Sequence, residues 1–136
     1  MSTSVTTLMS AAMPSDRPAS GRPVAAIGGD RLFASTEWLS PSEVRIGVAG
    51  DIDASNAECL AAHVFGRAAN CRHLILDLSQ VEFFGTAGFS ALRAIETRCA
   101  QASVSWILLA SGAVLRVLRL CDPEGTLPSA IRHRSG

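Results

Sequence analysis

The stretch Leu74-Ile75-Leu76-Asp77-Leu78-Ser79-Gln80-Val81-Glu82-Phe83-Phe84-Gly85-Thr86-Ala87-Gly88-Phe89-Ser90-Ala91-Leu92 decides the fold of this chain. From His73 to Leu78 it is apolar at nearly every position, which predicts a strand covered on both faces. From Gly85 the residues Phe89, Leu92, Ile95 and Cys99 recur at helical spacing and predict a helix to about Ala102. Thr86 then falls in the first turn of that helix, between the small residues Gly85 and Ala87. A hydroxyl there lies in the positive field of the helix N-terminus, beside N–H groups that have no intrahelical partner. A phosphate on it would be accommodated, and a docking partner would feel its charge.

Working outward from this stretch, Val44, Ile46 and Val48 alternate with smaller or polar residues, the period of a strand with one apolar face. Leu32 to Thr36 reads as a shorter strand before it, with Pro41-Ser42 in the loop between. After the turn Gly50-Asp51-Ile52-Asp53, either Asp53 or Ser55 is placed to cap a helix reaching about Ala69, with Asn70 closing it. Its apolar members Ala57, Leu60, Ala61, Val64 and Ala68 fall on one stripe. Downstream, Val104 to Ala110 reads as a strand. Ser111 or Gly112 is placed to cap a helix over Ala113 to Cys121, with Val114, Leu115, Val117, Leu118 and Cys121 inward and Arg116 and Arg119 outward.

The order β β α β α β α predicts an α/β domain, with helices packed against a mixed, mostly parallel sheet of four to five strands. Residues 1–29 are rich in Ser, Thr, Ala and Pro and show neither period, so they read as a flexible tail before one domain over 30–136.

Composition narrows the function. An apolar content of 48% supports one packed core. Twelve basic residues balance twelve acidic ones, so no net field draws the chain to nucleic acid or an anionic membrane. No apolar run approaches the ~20 residues that span a bilayer. The N-terminus lacks a basic segment leading into a continuous apolar one, so a cytoplasmic location is expected and membrane insertion is not. Cys59, Cys71, Cys99 and Cys121 form no CxxC pair and read as small core residues kept reduced. They also raise a redox alternative, in which two of them pair and lock a partner surface; Arg72 beside Cys71 and Arg98 beside Cys99 would favour the thiolates. His63 and His73 share no metal-ligand spacing, and no catalytic constellation or phosphate-cradling loop emerges. Neither an enzyme nor a metal nor a cofactor is expected.

Two segments and a third helix carry a family resemblance. Gly50-Asp51-Ile52-Asp53-Ala54-Ser55-Asn56-Ala57-Glu58-Cys59-Leu60 resembles the G-E-L-D-x-x-(T/S)-A-x-x-L segment of the STAS domain, whose members include bacterial anti-sigma factor antagonists. Leu76 to Phe89 resembles that family's L-D-L-S-x-V-x-F-(I/M)-D-S-(S/T)-G-L segment, and Ser111 to Leu118 is similar to its third-helix pattern. The three stand in order and at suitable spacing between Arg31 and Leu127.

The resemblance implies a protein-binding regulator of transcription. Its partner would be an anti-sigma factor of the histidine-kinase-like ATPase type, with no direct contact to nucleic acid. By position, Thr86 matches the hydroxyl that such a partner phosphorylates, and the phosphorylated form releases the partner. The implied docking face joins Asp51, Asp53 and Ser55 to Gly85, Thr86, Ala87, Gly88, Phe89 and Ser90. This chain departs from the pattern at Gly85, where the family carries Asp, and at Ala87, where it carries a hydroxyl. Losing the Asp removes a carboxylate that could touch the partner or cap the helix, and a glycine there would permit positive φ. Other readings of the residues stand beside these: Thr86 as a helix cap, Asp53 and Ser55 as an Asx-type turn, and Asp77 as a structural group bonding a neighbouring loop. The pair Thr86-Ala87 also resembles STAS proteins that serve as accessory subunits of lipid-trafficking ABC transporters, which gives an alternative function.

Overall fold

A computed structural model describes residues 24–130, apart from Gly28, Pro123, Thr126 and Pro128. Strands β1 (Val24–Ala26), β2 (Leu32–Ser40) and β3 (Glu43–Ile52) lead into helix α1 (Ala57–Arg67). Next come strand β4 (His73–Phe84), helix α2 (Thr86–Ala102), strand β5 (Ser105–Ala110), helix α3 (Gly112–Cys121) and strand β6 (Ser129–Ala130). The described strands form one sheet in the order β1-β2-β3-β4-β5-β6. β1, β2 and β3 pair antiparallel, whereas β3, β4, β5 and β6 run parallel and are joined by the three helices.

Each crossover advances one strand in the same direction. Right-handed connections therefore place all three helices on one face of the sheet. Side-chain alternation agrees. Val44, Ile46 and Val48 of β3, Leu74, Leu76 and Leu78 of β4, and Trp106, Leu108 and Ala110 of β5 are buried beneath the helices. Leu60 and Val64 of α1, Leu92 and Ile95 of α2, and Val114 and Leu118 of α3 close that core from above. The opposite face carries Glu37, Arg45, Ile75, Asp77 and Ile107, with no helix of the described chain over it.

The mixed α/β architecture is as expected, with β2 to β5 as its four longer strands, and two differences from the sequence reading have local causes. The expected tail over residues 1–29 ends in β1, whose three residues pair antiparallel with Phe33 to Ser35. Three residues show no period, so β1 exists through its neighbour; residues 1–23 lie outside those described. The strand expected to stop at Leu78 continues to Phe84. Its polar interruption, Ser79-Gln80, is a bulge: Gly47 of β3 opposes Asp77, yet Ala49 opposes Gln80.

Candidate functional site

The parallel strands β3 and β4 end side by side, so the turn after β3 and the helix after β4 meet at one edge of the sheet. Asp51 and Ile52 stand in register with Phe83 and Phe84, and the Gly85 N–H donates to the Ile52 carbonyl at 2.9 Å. The Asp51–Asn56 turn and the start of α2 are thus one surface. Ligand-contacting loops gather at this edge of parallel sheets generally. Gly50 is indispensable to its shape, since it holds φ +112° and a Cβ would lie 2.2 Å from the Arg31 carbonyl oxygen. That close approach lets Asp51 N–H donate to the Arg31 carbonyl at 2.9 Å and brings the Arg31 guanidinium onto Asp53.

Asp53 orders the turn. One carboxylate oxygen accepts from Ser55 N–H at 2.9 Å and Ser55 Oγ at 2.6 Å, and the other accepts from Arg31. Neither Asp53 nor Ser55 is the helix N-cap; Asn56 is. Asn56 is buried, accepts from Asp53 N–H at 3.0 Å and donates to the Asp51 carbonyl at 2.9 Å, stitching the turn closed. It was not anticipated from sequence because an Asn before a helix reads as an ordinary polar turn residue. Ser55 is exposed, but its hydroxyl is committed to Asp53.

Gly85 is the N-cap of α2 with φ −87° and ψ 174°, an extended conformation open to any residue. The positive φ that a glycine would permit there is not used. A Cβ at Gly85 would meet nothing closer than Phe83 Cε2 at 3.5 Å, so the family's Asp fits sterically and its loss is chemical. Thr86 is therefore the first helical residue and not the cap. It is exposed, and its hydroxyl makes no hydrogen bond among the described residues. Gly88 is buried for a packing reason, because a Cβ would lie 2.5 Å from the Phe84 ring. Phe89 is half-buried with the Arg93 guanidinium 5.8 Å above its ring, while Ala87 is half-buried and Ser90 exposed. Phe83, 52% exposed and beside Gly85, belongs to this surface although periodicity gave no sign of it.

The other candidates lie apart from this edge. Asp77 bonds within the sheet and not to a neighbouring loop: Ser79 N–H at 3.0 Å and Ser79 Oγ at 2.6 Å reach one oxygen, and Arg45 of β3 reaches the other. Burial alone would raise the Asp77 pKa, but the Ser79 bonds and the Arg45 charge outweigh it and hold the carboxyl below its ordinary value. All four cysteines are free thiols. Cys71 and Cys99 are buried, and desolvation raises both, Cys99 to about 11 with further help from Cys71 and Glu96. Arg98 does not activate Cys99; it stacks over Phe65, 4.6 Å from the ring centroid. Cys59 is exposed and Cys121 half-buried. Among the described residues no group of His, Cys, Asp and Glu has metal-holding geometry, and no helix is long and apolar enough to cross a membrane.

Comparison with known proteins agrees with this architecture. Osmosensory protein A of Mycobacterium tuberculosis is 33% identical over 118 residues, which span 87% of this chain and 72% of that protein. The crystal structure of an anti-sigma factor antagonist from Mycobacterium paratuberculosis superimposes with a TM-score of 0.67 at 25% identity, covering 79% of this chain and 92% of that one. The anti-sigma factor antagonist SpoIIAA in its unphosphorylated form shares the fold, with a TM-score of 0.60 at 16% identity over 73% of this chain and 89% of that one. The family model described as the STAS domain matches residues 41–126, from the β2–β3 turn to the segment beyond α3, and the chain belongs to that family.

Proposed function

We propose that this chain is an anti-sigma factor antagonist of the cytoplasm, which docks an anti-sigma factor on the surface formed by the Asp51–Ser55 turn and residues 85–90. The observation that carries the reading is Thr86. Its exposed, unbonded hydroxyl sits on the first residue of α2, beside the ordered turn, at the position where the family carries its switch residue. The antagonist similar to this chain at 25% identity supports the same general kind of activity. Regulation arises from the local field. Transfer of the γ-phosphoryl group from ATP to Thr86 Oγ1 would release ADP and the hydroxyl proton. It would leave a dianion stabilised by the free N–H groups of the first turn. The helix would keep its structure, while its first turn, which carries no acidic side chain, would become strongly negative. A partner of the histidine-kinase-like ATPase type would supply the ATP, and release would follow from the desolvation cost of burying the dianion in the contact.

The test pairs binding with modification. Titration of histidine-kinase-like anti-sigma factors from the same genome should show Thr86→Ala binding like the parent and Thr86→Glu at least about tenfold weaker. Incubation with the bound partner and ATP should label the parent and leave Thr86→Ala unlabelled. Unchanged affinity of Thr86→Glu would remove the switch, and binding to none of these factors would remove the antagonist reading. The osmosensory name of the Mycobacterium tuberculosis relative makes osmotic stress the first input to test.

A further inference from the structure

Three unpaired features meet at one point of the docking edge. Phe83, the residue before the last of β4, has half its surface exposed, although the other aromatic of the pair, Phe84, is buried in the core. Its ring lies against Gly85, within 3.5 Å of where a Cβ would stand, so the missing side chain leaves one flank of the ring uncovered. Asp51 is its register partner on β3, and Glu82 is its exposed chain neighbour. The Asp53 charge is matched by Arg31, whereas the carboxylates of Asp51 and Glu82 have no ion-pair partner among the described residues.

We infer that Phe83 is the anchor of this docking surface, and that the partner presents an apolar pocket rimmed by basic groups. The inference rests on the antagonist reading above and adds the chemistry of its interface. The family pattern carries a phenylalanine at position 83 as well, but places an aspartate at position 85, where this chain has Gly85 and leaves that flank of the ring uncovered. Losing the carboxylate at 85 leaves the ring as an apolar wedge in the contact, with the acidic Asp51 and Glu82 beside it. An aromatic side chain that fills a partner pocket supplies most of the affinity of such an interface, and rim charges act mainly on association rate and salt dependence.

The experiment titrates purified histidine-kinase-like anti-sigma factors from the same genome against the parent and its variants, each as the full chain, at low and high salt. Phe83→Ala should bind at least about tenfold more weakly than the parent. Gly85→Asp, which the backbone accommodates, should also weaken binding, and its combination with Phe83→Ala should cost no more than Phe83→Ala alone. Asp51→Asn with Glu82→Gln should slow association and flatten the salt dependence. Leu120→Ala is the control, since that side chain is 79% exposed at the far end of α3 and should change nothing. Equal binding by Phe83→Ala and the parent would overturn the inference while leaving the antagonist reading intact. Should Phe83→Ala not fold, Gly85→Asp binding like the parent would overturn it in the same way. Failure of the parent to bind any of these factors would remove both.

Discussion

The chain uses one local device twice, in two places that differ in burial. At Asp77-Leu78-Ser79 and at Asp53-Ala54-Ser55, an aspartate oxygen accepts from the N–H and the hydroxyl of the serine two residues on. In each case the second oxygen accepts from an arginine more than twenty residues earlier, Arg45 or Arg31. The Asp77 side chain keeps 9% of its accessible surface and its arginine 33%, against 29% and 52% for the other pair. The buried copy holds a bulge in the central strand, whereas the exposed copy shapes a turn before a helix. The same residues therefore anchor the sheet in one place and shape a docking surface in the other. Desolvation sets the difference, because an unmatched polar group costs most where water cannot replace its partner.

The contrast breaks most visibly at the buried copy. Asp77→Ala would leave Arg45 with only the Glu37 carboxylate, 3.6 Å away, and the Ser79 N–H without its acceptor, so urea denaturation should report a loss of about 2 kcal/mol. Next in size is an acid dependence. The Asp77 carboxyl titrates below its ordinary value of 3.8, so the unfolded chain binds the proton first. Its stabilisation is complete above about pH 4 and is lost as pH falls through the depressed folded value. Comparing unfolding midpoints from pH 5 downward, Asp77→Asn should show a shallower acid limb than the parent; an unchanged limb would mean that other groups govern acid unfolding.

At the exposed copy the effects shrink. Asp53→Ala removes the acceptor that orders the turn before α1 and should cost about 1 kcal/mol in the same denaturation assay. Arg31→Ala should cost less than about 0.5 kcal/mol, since an ion pair this exposed is screened by solvent. A loss at Asp53 as large as that at Asp77 would erase the distinction between the two sites.

The parts of the fold that were legible in the sequence are those in which one segment carries its own period. Val44, Ile46 and Val48 announce β3, and Phe89, Leu92, Ile95 and Cys99 announce the inner face of α2. The illegible parts depend on distant partners. β1 is a strand because β2 lies beside it, and β4 runs through Ser79-Gln80 because Asp77 holds the bulge. The position of Thr86 at the start of α2 was readable, since a helix start needs only local sequence. The Arg31–Asp53 contact spans 22 residues and had no local sign. The exposure of Phe83 was hidden for a similar reason, because two adjacent phenylalanines look equally apolar until the sheet buries one of them.

Gly88 has a consequence for the speed of recognition. The Phe84 ring occupies the space a side chain would take there, which fixes the first turn of α2 onto the end of β4. A protein docking at Thr86 meets a platform that is already in place and has no segment to order. Its arrival is then governed by orientation and by the charges at the rim, in the range of about 10⁵–10⁷ M⁻¹s⁻¹ for rigid partners, and the lifetime of the complex becomes the quantity that regulation must change.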